Sequence, residues 1–292
     1  VLRQPDELFP GEVDARQFDD ICRWVKQWFN VLPLDEAVRC LGAGTLPSRA
    51  LSITFDDGYE DNESVARPIL QRHGLTATFF VATGFLDGGR MWNDTIIESV
   101  RLTRLQALDL GAWTVADFGR HDLSTPSLRR MAIDAIIGQA KYLEPAERLR
   151  FTRFLAEAAQ VDVSDDLMMR SDQVRSLRRA GMQVGAHTVS HPILAKLGDQ
   201  EARHEMSHSK QHLEALLGEP VTLFAYPNGR PGDDYLPVNV VQARDCGFAA
   251  AMSTVWGTSG QGDDLFQMRR FTPWDRTRIR FGLRLAGNLR PT

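Results

Sequence analysis

Cysteine is scarce: Cys22, Cys40 and Cys246 are the only three in 292 residues, and no Cys-x-x-Cys pair occurs. Such an odd, scattered set excludes a disulfide-stapled scaffold. It fits a reducing compartment, so the expected location is cytoplasmic, or periplasmic if a signal peptide precedes Val1. Charge of one sign is also lacking, with 34 Lys+Arg against 38 Asp+Glu and a formal net charge of −4. That balance argues against a nucleic-acid partner, whose phosphates would need a cationic surface, and against a polybasic membrane patch. Long apolar runs are missing too. The most continuous, Leu75 to Leu86, is interrupted by Thr76, Thr78, Thr83 and Gly84, far short of the roughly 20 apolar residues a membrane span requires. With 43% hydrophobic and 25% charged residues, what remains is an ordinary globular composition able to supply a sizeable core.

Periodicity organises the chain. Phe18, Ile21, Cys22, Val25 and Phe29 recur at helical spacing over 15–29, and a short helix is expected over 34–41. Ala50 to Phe55 reads as a strand that runs straight into Asp56-Asp57-Gly58. A helix over 65–73, stopped by Gly74, and a strand over 77–81 follow. Strand, helix and strand without tight hairpin turns implies parallel pairing, hence an α/β sheet or barrel. Residues 93–167 switch to helical spacing with no strand-like run, which reads as a helical insertion within a single domain spanning 1–292. The barrel pattern resumes with a helix over 171–180, a strand over 182–186 ending at His187, a helix over 199–217, and strands near 221–225, 248–252 and 268–271. A last helix begins near Asp275.

Two clusters carry chemistry. In Thr54-Phe55-Asp56-Asp57-Gly58-Tyr59, two adjacent carboxylates repel unless a cation or a division of roles separates them. Neighbours on a strand point apart, so one could ligate a metal while the other faces a water; the same residues also make a good Asx turn. In His187-Thr188-Val189-Ser190-His191-Pro192, two imidazoles can face one point if the segment between them coils, and imidazole with carboxylate suits Zn²⁺ and its neighbours. Both clusters follow parallel strands, whose carboxyl ends share the face where barrel active sites assemble. Two His and one Asp leave open positions on a metal, as catalytic sites do.

The pair of motifs resembles those of the NodB-type polysaccharide deacetylases, carbohydrate esterase family 4, in the subgroup acting on exopolysaccharide. Leu75-Thr76-Ala77-Thr78-Phe79-Phe80-Val81, Ala180 to Ala186, and Phe224-Ala225-Tyr226-Pro227-Asn228-Gly229 extend the likeness from about Phe18 to Thr272, apart from the insertion. The resemblance implies a distorted (β/α)7 TIM-like barrel. It also implies a metal-dependent hydrolase that removes N-acetyl groups from an N-acetylglucosamine-containing polysaccharide or oligosaccharide, with that acetylated glycan as its partner. By the same resemblance Asp56 is the general base, Asp57, His187 and His191 hold the divalent metal, usually zinc, and the Asn228 backbone N–H stabilises the oxyanion.

Two departures stand out. The family's third motif commonly carries an Arg that braces the base, and Ala225 holds that position here; Arg269 or Arg270 are the candidate replacements. The family's fifth motif carries a His that protonates the leaving amine, yet no His follows His212. Tyr59, Trp92, Asp94 and Tyr226 are candidates for sugar stacking and hydroxyl bonding, with a helix cap and a packed Trp the competing reading at Trp92 and Asp94. Two further readings of function remain open: an amidase or esterase on a small acylated molecule, and a carbohydrate-binding protein of this fold with little turnover. His204, His208 and His212 recur every four residues opposite the apolar face of their helix, which places them on its solvated side.

Overall fold

A computed structural model describes residues 1–272 and 275–288. In chain order the elements begin with α1 (Ala15–Trp28), β1 (Asn30–Val31), α2 (Leu34–Gly42), β2 (Ala50–Leu51), β3 (Thr54–Phe55), α3 (Arg67–His73) and β4 (Thr78–Val81). Next are α4 (Trp92–Leu102), β5 (Ala107–Asp109), β6 (Arg120–Asp122), α5 (Pro126–Ala140) and α6 (Pro145–Ala158). The chain continues through α7 (Ser171–Arg179), β7 (Gln183–Ala186), α8 (Asp199–Leu217), β8 (Leu223–Ala225), α9 (Pro237–Asp245), β9 (Ala250–Trp256), β10 (Met268–Arg270) and α10 (Arg278–Asn288). Contacts group them into two compact units. One holds residues 1–4, 13–87 and the chain from Met168 onward; the other holds residues 5–12 and 88–167.

The first unit is built on a sheet of six parallel strands in the order β10-β9-β8-β7-β4-β3, with β1 and β2 forming a further parallel pair. Only Ser52 and Ile53 separate β2 from β3. Counted as one interrupted strand, they make seven parallel strands among the described residues, the distorted (β/α)7 barrel. The single strand expected over 50–55 is thus split, and β1 is two residues long, too short to leave a periodic trace. Parallel strands covered on both faces read as continuous apolar runs, and all four residues of β4, Thr78-Phe79-Phe80-Val81, are buried.

Strand alternation sorts side chains into two clusters. On the helix-facing side Phe79, Val184, Ala186, Phe224, Tyr226 and Ala251 pack with Leu70, Leu177 and Met206 from the surrounding helices. On the opposite face Phe80, Leu223, Ala225, Ala250, Met252 and Met268 pack with Leu34, Val38 and Leu41 of α2. The same inward parity carries Thr54, Asp56, Gln183, Gly185, His187 and Arg270. Gln183 Oε1 accepts from the Leu34 N–H at 2.8 Å and the Thr78 hydroxyl at 2.9 Å, joining α2 to the amino-terminal end of the sheet.

The second unit has its own core, including Ile96, Val100, Leu108, Ile133, Ile136, Phe151 and Leu155, with Leu8 from the amino-terminal segment. Arg101 pairs with Asp6 at 2.5 Å. Sequence periodicity finds its helices but misses β5 and β6, an antiparallel pair that corrects the expectation of no strand between 93 and 167. The reason is length: three residues each, with Leu108 the one buried side chain.

Gly185 shows how tightly the sheet interior is filled. A methyl there would lie 2.4 Å from the Phe80 ring and 3.1 Å from the Leu223 carbonyl oxygen. Gly185→Ala is expected to cost about 1–3 kcal/mol by overpacking, seen as a lower urea midpoint at unchanged m-value.

Candidate metal centre and active site

Every motif residue of the first unit lies at a carboxyl end of its sheet. Asp56 follows β3 and keeps the inward parity of Thr54. Arg270, the last residue of β10, grips it with two parallel bonds, Nη1 to Oδ1 at 2.7 Å and Nη2 to Oδ2 at 2.8 Å. Its Nε donates to the Ser253 carbonyl at 2.9 Å, and Nη1 also reaches the Thr54 hydroxyl at 3.3 Å. A planar guanidinium suits this fork geometry. Burial would raise the Asp56 pKa, but the Arg270 charge, with the two histidines, outweighs it and holds the carboxyl down to about 2.

Asp57 departs from the strand. Its φ is 75° and that of Gly58 is 92°, so a left-handed turn, not the strand pleat expected from sequence, separates the two carboxylates. The Asp57 carbonyl accepts from the Ala82 N–H at 3.1 Å, which ties the turn to the end of β4. His187 follows β7 and is buried. Its Nδ1 lies 2.7 Å from the Ala225 carbonyl oxygen, and a carbonyl only accepts, so Nδ1 carries the proton and Nε2 presents its lone pair. His191 comes round to the same point because Thr188 and His191 are both left-handed, at φ 66° and 53°.

Asp57 Oδ1 is 3.3 Å from His187 Nε2 and 3.3 Å from His191 Nε2. All three donor atoms lie within 4.8 Å of one another. A tetrahedral cation with bonds of about 2.0–2.1 Å has ligand–ligand edges of about 3.3–3.4 Å, so the spacing fits. Protonation is compatible with the fit. Burial and the neighbouring His187 push His191 down to about 4, leaving it a neutral imidazole at neutral pH. Burial opposes a charge on His187 as well, yet Asp57 and Asp56 outweigh it and raise its pKa; that negative field equally favours a cation.

Asn228 sits in a left-handed turn after β8, at φ 58°, and is exposed. Its carbonyl accepts the Thr254 hydroxyl at 2.6 Å, and the Gly229 carbonyl accepts the Thr254 N–H at 2.9 Å, which binds the turn to β9. Among the described residues no acceptor takes the Asn228 N–H. Of the two arginines considered, Arg270 meets Asp56; Arg269, of opposite parity, is exposed and its N–H donates to the Ser259 hydroxyl.

Tyr226 is corrected by the structure. Its side chain is fully buried, stacked on Tyr235 at 3.9 Å between centroids, and its hydroxyl donates to the Phe266 carbonyl at 3.1 Å. It is a core residue because it shares strand parity with Phe224, not with Ala225. Tyr59 is half-buried beside the motif, its backbone bridged to Met168. Trp92 and Asp94 belong to the second unit, where Arg148 lies over the Trp92 ring at 4.7 Å and Asp94 is buried within α4. His204, His208 and His212 are exposed on α8. Sequence reading missed two supports of the His187–His191 loop, Gly84 and Glu205. Gly84 donates its N–H to the Val189 carbonyl at 2.8 Å, and a Cβ there would lie 2.7 Å from that oxygen.

Comparison with known proteins agrees with this geometry. The family model for polysaccharide deacetylase matches residues 43–107 and 143–250, which include Asp56, Asp57, His187, His191 and Asn228. A poly-beta-1,6-N-acetyl-D-glucosamine N-deacetylase of Staphylococcus aureus is 24% identical over 180 residues, 61% of this chain and 62% of its own length. The chain spans less than two thirds of the length of the curated relatives it matches first, 64% and 62%. Among solved structures, the Streptococcus pyogenes deacetylase PplD in complex with acetate aligns with a TM-score of 0.63 at 19% identity, over 96% of this chain and 88% of its own. IcaB from Ammonifex degensii aligns with a TM-score of 0.59 at 17% identity, over 92% and 89%. These two likenesses show the fold.

The Arg270–Asp56 pair has a stability consequence. Asp56 is held below its ordinary value of 3.8, at about 2, so its contribution is fully present above about pH 4 and is lost as pH falls through about 2. Arg270→Ala is expected to cost about 2 kcal/mol at pH 6. The difference from the unaltered protein should shrink towards pH 3, as read by urea unfolding at both values.

Proposed function

We infer the reaction from two facts: the chain belongs to the polysaccharide deacetylase family, and Asp57 Oδ1 stands 3.3 Å from Nε2 of both His187 and His191, the edge length of a tetrahedral cation, with all three donors within 4.8 Å of one another. The protein is a metal-dependent hydrolase that removes N-acetyl groups from an N-acetylglucosamine-containing polysaccharide or oligosaccharide, with zinc the expected ion. The spacing of the three donors carries this reading. Asp57, His187 and His191 hold the cation, which when bound acidifies water and polarises an acyl carbonyl.

The remaining chemistry belongs to the chain. Asp56, ionised throughout the physiological range, takes a proton from the attacking water at its carboxylate. Arg270 fixes the carboxylate plane and keeps its basicity modest. The Asn228 N–H donates to the oxygen that gains charge as the amide carbon becomes tetrahedral. Cleavage of the C–N bond releases acetate, and the leaving nitrogen needs a proton. Protonated Asp56, an acid strengthened by its Arg270 brace, returns the proton it took. A net charge of −4 suits a sugar polymer, recognised by hydroxyl bonding and stacking more than by charge. The helical stretch at about 93–167 is an insertion within a single deacetylase domain on this reading.

Asp56→Asn is expected to lower acetate release from acetylated glucosamine oligomers at least about 10³-fold while keeping one zinc per chain by elemental analysis. Retained turnover would sink the base assignment. Dialysis against a chelator should abolish release, and zinc should restore it. Bound metal with no release from glucosamine oligomers, peptidoglycan or aryl acetates would favour the binding reading instead.

A further inference from the structure

The loop that carries both histidines is gripped from two sides. On one side the end of β4 supplies donors: the Thr83 N–H to the Thr188 carbonyl at 3.1 Å and the Gly84 N–H to the Val189 carbonyl at 2.8 Å. On the other, Glu205 of α8 supplies acceptors. Its Oε2 takes the Val189 N–H and the Ser190 N–H, each at 2.8 Å, and its Oε1 takes the Ser190 hydroxyl at 2.7 Å. Within the loop the Thr188 hydroxyl donates to the His187 carbonyl and accepts from the His191 N–H at 3.1 Å.

We propose that Glu205 is a positioning residue for the metal centre: its carboxylate fixes the loop so that His187 and His191 converge on Asp57. Thr188 and His191 both adopt left-handed conformations, which are unfavourable for residues with a side chain. Such a loop keeps its shape only if other bonds over-determine it. Glu205 provides three of them, and a carboxylate is the side chain for the task. It offers acceptors only, at both oxygens, to three donors. Glutamine could keep the two N–H bonds at its carbonyl oxygen and donate its NH₂ to the Ser190 hydroxyl, but would lose the charge that strengthens all three; aspartate would be one methylene short, and alanine would leave two N–H groups without this partner. Glu205 touches neither histidine, so its effect reaches the metal only through loop geometry. The proposal rests on the metal reading of the Asp57, His187 and His191 site.

Zinc affinity, measured on the metal-free protein by competition with a chromophoric chelator, tests it. Glu205→Ala is expected to weaken zinc binding by about 10- to 100-fold, the range found for outer supports of metal ligands, and Glu205→Gln, which keeps the shape without the charge, by less. Acetate release should then need more zinc, with kcat largely recovered at saturating metal and KM for the oligomer little changed. Glu201→Gln, an exposed position on the same helix, should bind zinc as the unaltered protein does. If the Glu205 variants do not fold, Ser190→Ala removes the hydroxyl bond alone, and a few-fold loss of affinity is expected. Zinc binding within twofold of the unaltered protein in Glu205→Ala, or in Ser190→Ala where that stands in, would overturn the proposal. If the unaltered protein binds no zinc, the metal reading fails first and the proposal falls with it. Tight binding in the unaltered protein alone keeps the two failures distinct.

Discussion

The bidentate bond between Arg270 and Asp56 joins residues 214 apart in sequence and strands at opposite edges of the six-stranded sheet. A parallel sheet of this size twists but does not close by itself. Here β3 and β10 are brought together by a side-chain bridge, with Thr54 sharing the same guanidinium. At the carboxyl ends of β3 and β7, within that curl, His187, His191 and the Asp56-Asp57 pair collect. Asp56, the proposed base, is therefore part of the closure: the guanidinium that bridges the sheet's edges also holds this carboxyl's pKa down.

Around that closure the chain stores backbone strain where chemistry is placed. Asp57, Thr188, His191 and Asn228 all have positive φ without being glycine, four of the seven such residues among those described. Three of them are held by bonds from a neighbouring strand end, Ala82 to Asp57, Thr83 to Thr188 and Thr254 to Asn228, and His191 is held within its loop by the Thr188 hydroxyl. The left-handed step redirects a side chain that strand parity would otherwise send into the helix-facing core. Asp57 lies two residues beyond Phe55, which packs against Phe79 at 4.8 Å; were β3 to continue, its carboxylate would follow Phe55 into that apolar layer.

The same parity explains what was legible in sequence and what was not. Asp56, Asp57, His187 and His191 stand in two short motifs after apolar runs, so their types and positions were readable at once. Choosing Arg270 over Arg269 needed a parity argument that the sequence does contain: Met268 is apolar and inward, so the residue two further on is inward too. Tyr226 was misplaced for want of that step, since Phe224, two residues earlier, already marks the helix-facing side. Glu205 left no such trace. It lies on a surface helix beside His204, and its role follows from the distant loop folding back onto α8. Strands of two or three residues, β1, β5 and β6, were invisible because alternation needs more length than they have.

On the proposed reaction, the Arg270 brace bears on the return of the proton as much as on its removal. With Ala225 in place of a bracing arginine, the brace comes from Arg270, on the strand that closes the sheet. A carboxylate clamped at both oxygens is a weak base but a strong acid once protonated, so it returns a proton readily. One group can then serve both halves of an amide hydrolysis, provided a cation supplies the acidity that brings water's proton within its reach. On that reading the demand falls on the metal centre, and so on the geometry of the His187–His191 loop.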